Sequence, residues 1–540
     1  MKRGTTLGVA LAAVVIAVAG TGWWVSARPP SPPQSSATPP GEPTTTSGTH
    51  SPSPTPKVPN LAWGPSQDDW DAALMDAQAL SLEDVAGQVI MADISHPDAA
   101  AAAKLVKSRH LAGVLIMGGA VTSAKQVLAL NQAIQTADPK RDWPVVIATD
   151  EEGGVVQRLR PAIGYVSAFM AAGANGDSSS VRAYYAGLGA QMRELNFTMD
   201  MAPDADVTIG LKDPTIRTRS AGSDPQDVAD TVVAAWQGLD SGGVLPVLKH
   251  FPGHGSVTVD SHAGLPRQKA NVATLAERDF VPFKAAIDAG APAIMMAHIR
   301  VPEWGKAPAS VNPRAYAYVR EELGFTGLIV TDAMNMEAIT DRYKPGAATV
   351  AAIRAGADLV LMPANTDAAI DALVGAVEKG SLDRARLDDA AAHVILASRW
   401  GYHAQDAVAP GRPRDFVEGS IVVAAKDCDA LVGESVSIVG GTAAQRKALA
   451  KALRDHGVKV GKGGTTVALV RGDRGHAKAD VVVAMGGPWG LPASHAKAYV
   501  AIWGEGSEQL RALAAVLAGD VPARGTWPVA LKLPYAECSA

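Results

Sequence analysis

The segment Lys249–His262, KHFPGHGSVTVDSH, concentrates groups that can move protons and hold polar ligands. It has one lysine, three histidines and an aspartate, broken by Pro252, Gly253 and Gly255. It follows Val244, Leu245, Val247 and Leu248, an apolar run that reads as a buried strand. A fold does not need so many titratable groups at such a place, so chemistry is the better explanation. A second site lies in GLIVTDAMNM, Gly327–Met336, where Asp332 follows the β-rich run Leu328–Thr331. By position alone Asp332 is either a reactive carboxylate or the cap of the next helix. In Asp260-Ser261-His262, alternate residues of an extended loop point the same way. Asp260 can then accept the His262 ring N–H, set its tautomer and stabilise the imidazolium. The alternative is a surface loop with a fortuitous pair. Together these residues suggest a carboxylate nucleophile, Asp332, facing a histidine acid/base, His262.

Further polar groups follow other apolar runs: Asp150-Glu151-Glu152, then Asp204 and Asp206, Lys249-His250, and His298. Asp150, Arg158, Arg219, Lys249 and His250 would form a ring of charges and hydrogen-bond donors suited to a hydroxyl-rich ligand such as a sugar. Each alone is as easily a salt-bridged or solvated charge, so the case rests on their sharing one face. His250 and His254 are four apart, but Pro252, Gly253 and Gly255 argue against a helix there and HExxH is missing. No metal and no cofactor is expected.

The elements needed to present these groups are legible. Apolar runs fall at Gln88–Ile94, Gly113–Met117, Val145–Thr149 and Phe197–Met201. Four more fall at Val244–Leu248, Ala293–Met296, Leu328–Thr331 and Leu359–Met362. Amphipathic stretches separate them, including Ser123–Thr136, Ser179–Leu195, Asp224–Leu239 and Asn271–Ala289. Eight βα units over roughly 300 residues predict a (β/α)8 TIM-type barrel, with every polar cluster at a strand's carboxyl end. An open doubly wound sheet is the alternative. Gly401–Asp415 reads as a linker, and alternation then resumes in a smaller α/β layer domain. The expected domains are 62–400 for the barrel, 401–416 for a linker and 417–540 for an αβα sandwich. Gly440-Gly441 hints at a nucleotide-binding turn, but neither GxGxxG nor GxxxxGK[ST] follows.

The 540 residues, 47% hydrophobic, suffice for about two domains and a tail. A net charge of -5 leaves no footprint for nucleic acid. Lys2 and Arg3 precede an uncharged apolar stretch from Thr5 to Ala27, so 1–27 reads as a secretory signal or an uncleaved membrane anchor. With no cysteine near it, a lipid-modified terminus is not expected. Residues 28–61 are rich in Pro, Ser and Thr and read as a disordered spacer. A secreted or cell-envelope location follows, with a membrane tether as an option. Cys428 and Cys538 either pair in an exported protein or remain thiols.

KHFPGHG with its following DSH resembles the β-N-acetylglucosaminidase branch of glycoside hydrolase family 3. The likeness continues, in order, through DEEGGVVQR (150–158), RTRSAGSDP (217–225), MMAHI (295–299), PASV (308–311), VTDAMNM (330–336) and ARGTWPVAL (523–531). It spans about Ala62 to Leu531 and implies a (β/α)8 barrel followed by an αβα sandwich. The resemblance also implies that Asp332 is the nucleophile, His262 the acid/base and Asp260 its orienting partner. Asp150, Arg158, Arg219, Lys249 and His250 would hold a terminal N-acetylglucosamine. Departures are mild: Ala221 replaces a common aromatic, Ser256-Val257 a common Asp-Thr, and Ala333 follows the nucleophile where an acidic or small residue is usual.

The expected activity is retaining exo-hydrolysis of β-linked N-acetylglucosamine from peptidoglycan fragments or chitin-type sugars, with a His–Asp dyad replacing the usual second carboxylate. A phosphorylase or a β-glucosidase of the same family, and an inactive cell-wall sugar-binding protein, are the alternatives. Oligomeric state is not legible.

Overall fold

The computed structural model describes residues 61–401, 413–429 and 431–538. The expected signal or anchor (1–27), nearly all of the expected spacer (28–61) and most of the expected linker (401–416) lie outside them. No described helix is long and apolar enough to cross a membrane.

The eight apolar runs become eight parallel strands: β1 (Ile90–Ile94), β2 (Gly113–Ile116), β3 (Val146–Thr149), β4 (Met199–Asp200), β5 (Leu245–Pro246 continued by Leu248–Phe251), β6 (Ala293–Met296), β7 (Leu328–Thr331) and β8 (Val360–Leu361). Each pairs with the next in sequence. The bridge Val330↔Leu359 brings β7 to β8, and Ile90↔Val360 brings β8 back to β1. The sheet is therefore a closed barrel, not an open one. Its strands are fully buried over most of their length, as expected of parallel strands covered on both faces. Helices such as Ser178–Glu194 and Pro225–Ser241 begin where Asp177 and Asp224 accept backbone N–H groups of the first turn. The stretch expected as one helix, Asn271–Ala289, is two, Val272–Ala276 and Val281–Asp288. Pro282 lacks the N–H that a continuous helix would use and instead opens the second one.

The C-terminal sheet comprises β9 (Val422–Ala425), β10 (Ser435–Gly440), β11 (Lys459–Val460), β12 (Thr465–Val470), β13 (Val481–Ala484) and β14 (Ala498–Ala501). Their spatial order is β9-β14-β13-β12-β10-β11, with only β9 antiparallel to its neighbour. Period-two alternation sorts its two faces. Val467, Leu469, Val481, Val483 and Val500 join the main core, on the side of the helices Ala443–Asp455 and Ser507–Ala518. Ala468, Val470, Val482, Ala484 and Tyr499 pack with Leu491, Leu533 and Tyr535 on the other. The strand β9 lies in the expected 417–540 domain, in an apolar run not singled out above, and the helix Pro413–Gly419 begins in the expected linker. Both are held by tertiary contacts, including the stack of Phe416 on Tyr184 at 3.9 Å. Gly440-Gly441 is an ordinary strand-to-helix turn, closed by the Thr442–Gln445 capping box. Cys428 and Cys538 form a disulfide that ties the C-terminal tail beside β9, where Cys538 N–H also donates to Val423 O.

Candidate active site

Seven of the eight residues singled out in the sequence line one cavity of about 320 Å³ at the carboxyl ends of the strands: Asp150, Arg158, Arg219, Lys249, His250, His262 and Asp332. Asp260 stands behind His262. Lys249 and His250 lie within β5, not beyond it as the apolar run suggests. The register with β6 shifts between Leu248 and Phe251, and this irregularity accompanies two adjacent side chains reaching the same cavity.

Asp332 follows β7 directly. Its N–H donates to Met296 O at 2.9 Å, and its carboxylate accepts the Ala333 N–H at 2.8 Å. The next helix, Glu337–Thr340, is capped by Met336, so the helix-cap alternative for Asp332 does not hold. His298, fully buried beside it, bonds Ala333 O through Nε2 at 2.9 Å and Ser310 Oγ through Nδ1 at 2.7 Å. A carbonyl only accepts, so Nε2 carries the proton and Nδ1 accepts from Ser310. Burial pushes the Asp332 carboxyl up, but the imidazoles of His298 and His250 and the Ala333 N–H outweigh it and hold it below the ordinary carboxylate value. A buried, ionised carboxylate is the state a nucleophile needs.

The Asp260–His262 contact is present, but for a different reason from the expected extended loop. These residues form a turn in which the His262 N–H and ring Nδ1 both meet Asp260 Oδ1, at 2.9 and 2.8 Å. The Ala263 N–H closes it on Asp260 O. This is an Asx-type turn, in which a carboxylate bonds its own backbone two residues on. With Nδ1–H directed at Asp260, Nε2 is left free to exchange a proton. His262 is 66% exposed, so the dyad sits at the rim, open to solvent and substrate. Ser261 points the other way and bonds His254 Nε2 at 2.8 Å, while the His254 N–H donates to Asp206 at 2.6 Å. Gly255 is required beside this turn, since a Cβ there would lie 2.4 Å from Val207 O.

At the cavity wall a network of buried charges organises the remaining groups. Glu152 receives Arg219 bidentately, at 2.7 and 2.9 Å, and Lys249 Nζ at 2.5 Å. Lys249 also reaches Asp150 at 2.9 Å. Burial pushes the Glu152 carboxyl up, but Arg219 and Lys249 override it and keep it ionised. Burial likewise pulls Lys249 down, and Asp150 and Glu152 more than reverse this. His250 is driven well below its ordinary value by burial and by the charges of Arg219 and Lys249. It is therefore neutral: Nδ1–H donates to Asp206 at 2.7 Å, and Nε2 faces Arg219 Nη2 at 3.3 Å. Asp204 is raised well above the ordinary carboxyl value by burial, and neither of its oxygens has a hydrogen-bond partner. The donor atoms of Asp204, Asp206 and His250 lie within 4.8 Å of one another. Arg219 already stands against this group, with Nε 3.3 Å from Asp204, so a metal ion would meet an existing cation. Arg158 lines the cavity, and its Nε, 3.9 Å from Asp150, has no hydrogen-bond partner.

Glu152, His254, Ser261, His298 and Ser310 are the contributors that sequence reasoning did not commit to. Glu152 stands in a run of three acids, and only the hairpin Glu151–Gly153 with Val156–Gln157 decides which of them meets Arg219. His298 sits at a strand end, a usable signal. Ser261 and Ser310 carry no signal at all.

This architecture and these groups define a barrel glycosidase. Residues 81–397 match the glycosyl hydrolase family 3 N-terminal domain. The chain is 35% identical over 324 residues to the β-hexosaminidase LpqI of Mycobacterium tuberculosis, covering 57% of this chain and 80% of that protein. It is 33% identical over 281 residues to β-hexosaminidase A of Pseudoalteromonas piscicida, covering 48% of this chain and 47% of that one, so it matches only about half of that enzyme's length. Its structure is similar to that of a family 3 β-N-acetylglucosaminidase from Paenibacillus, with TM-score 0.73 at 27% identity over 84% of this chain and 99% of that one. The chain belongs to glycosyl hydrolase family 3, and these relatives place it among the glycoside hydrolases of the hexosaminidase type.

Proposed function

We propose that this protein is an exported, retaining exo-β-N-acetylglucosaminidase acting on peptidoglycan fragments or chitin-type sugars. The observation that carries the reading is the convergence on one cavity of an ionised, buried Asp332 and a rim histidine whose Nδ1 is tied to Asp260. In the first step an Asp332 oxygen forms a bond to the anomeric carbon as the glycosidic C–O bond breaks, and His262 Nε2–H gives its proton to the leaving oxygen. In the second, His262 Nε2 takes a proton from water, whose oxygen bonds the anomeric carbon and frees Asp332. Asp260 stabilises the imidazolium in both steps. Arg158, Asp150 and Lys249 would hold the sugar hydroxyls, while Arg219 and His250 shape the wall through Glu152 and Asp206. Export is supported by the apolar N-terminal segment and by the Cys428–Cys538 disulfide, a bond favoured in oxidising compartments.

The test is turnover of an aryl β-N-acetylglucosaminide beside the matching aryl β-glucoside, with and without phosphate. Preference for the amino sugar is expected, with free N-acetylglucosamine of retained configuration as first product. Preference for the glucoside would make the protein a β-glucosidase, and no turnover of either would leave a sugar-binding protein. An imidazole at the acid/base position does not repel an anionic acceptor as a carboxylate would. Some N-acetylglucosamine 1-phosphate at high phosphate is therefore expected, below the hydrolytic product, since water is present at about 55 M.

A further inference from the structure

Among the described residues, every one that lines the cavity belongs to the barrel, yet the two loops that carry its charged wall rest on the C-terminal layer. The loop after β4 carries Arg219. Two residues earlier Arg217 adopts a left-handed backbone (φ 47°), an uncommon conformation for a residue with a side chain. Its guanidinium bonds Asp213 O through Nε at 2.9 Å and Asp473 of the C-terminal layer through Nη1 at 2.9 Å. Asp473 in turn accepts the Gly487 N–H. Elsewhere in the same loop the Ser223 N–H donates to Pro528 O at 2.9 Å, and a Cβ on Gly222 would lie 2.6 Å from that oxygen.

The hairpin that carries Glu152 is braced independently. Gln509 Nε2 donates to Ser167 Oγ at 2.8 Å, and the Ala168 N–H donates to Trp503 O at 3.0 Å. The Ser167 carbonyl lies directly against Gly153, where an added Cβ would come within 2.0 Å of it. Both members of the Glu152–Arg219 pair thus stand on backbone that the C-terminal layer holds.

We infer that the C-terminal layer is a positioning element of the barrel's sugar pocket, acting through Asp473 on the Arg219 loop and through Gln509 on the Glu152 hairpin. This rests on the proposed reading of that cavity as the sugar site. Misplacing such groups by about 1 Å can cost about 10²-fold in rate, so a distant contact can matter to substrate binding.

The test uses the full chain. Asp473→Ala and Gln509→Met are each expected to raise KM for an aryl N-acetylglucosaminide about 5- to 20-fold while kcat stays within about threefold. Arg217→Ala combined with Asp473→Ala should cost clearly less than the product of the two single losses, because both remove the same Arg217–Asp473 contact. Asp473→Asn keeps the side-chain shape and the Gly487 bond, folds if Asp473→Ala does not, and should show an intermediate KM. Hydrogen exchange gives a readout independent of the substrate's identity. In Asp473→Ala the Arg219 and Ser220 amides should exchange faster, with β1 to β8 unchanged. Wild-type inactivity on every amino sugar would sink the functional reading and leave the exchange result standing. KM within twofold of wild type in both single variants, multiplying losses in the double variant, or unchanged exchange in the loop would each overturn the positioning role.

Discussion

Replacing Glu152 by Gln changes one atom type at the most heavily bonded point of the cavity wall. Glu152 is 3% exposed and accepts two bonds from Arg219 and one from Lys249. A glutamine keeps one acceptor, so its amide nitrogen must face a guanidinium or an ammonium, donor against donor. Asp150 would be the main carboxylate left to Lys249, and it is part-exposed. Breaking a buried ion pair by removing one partner typically costs about 3–5 kcal/mol, because the remaining charge stays desolvated. We expect Glu152→Gln to lose that much stability at pH 7 in urea or guanidinium unfolding, with KM raised and kcat/KM down about 10- to 100-fold. The neighbouring acid supplies the control. Burial lifts the Glu151 carboxyl to about 8, and it bonds the Leu159 N–H at 2.7 Å. Its folded value is above its unfolded one, so the native state holds the extra proton, and stability is lost as pH rises from about 4.5 to 8. Glu151→Gln removes that loss and should stabilise the protein at pH 8, by up to roughly 5 kcal/mol, with little effect at pH 5. Two adjacent isosteric changes of opposite sign test the charge argument directly. A Glu152→Gln loss under about 1 kcal/mol with unchanged kcat/KM would refute it. So would equal shifts from both variants.

Asp332→Ala should abolish turnover with the fold intact, and a 2-deoxy-2-fluoro or similar slow substrate should label Asp332; a label on another carboxylate moves the nucleophile. His262→Ala should lower rates about 10²–10⁴-fold for poor leaving groups and far less for activated aryl sugars, and an equal loss on both would make His262 a binding residue. Asp260→Asn should fall between wild type and His262→Ala through a mis-set tautomer. Reducing Cys428–Cys538, which closes 110 residues, should lower thermal stability of the C-terminal layer by up to about 5 kcal/mol, and an unchanged melting profile under reductant would contradict this.

The chain's own order determined the barrel. Eight apolar runs with helical periods between them require parallel strands and favour a closed barrel, and the pairing of β8 with both β7 and β1 closes it. Polar residues placed straight after such runs must emerge at one end of the barrel, so Asp150, Lys249, His298 and Asp332 were legible as a shared face. The Asp260–His262 pair was legible too, because the contact is two residues long and local. What the tertiary structure decided are the meetings across strands. Glu152, not Glu151, receives Arg219 because a short hairpin turns it to the cavity, while Glu151 is buried away from it. His250 is neutral because two cations and burial act on it together. Lys249 and His250 share a cavity because the register with β6 slips. The bracing of Arg217 by Asp473, and of Ser167 by Gln509, joins residues hundreds of positions apart. Local pattern encodes which surface a residue faces; charge state and partner depend on desolvation and distance, which exist only once the chain has closed.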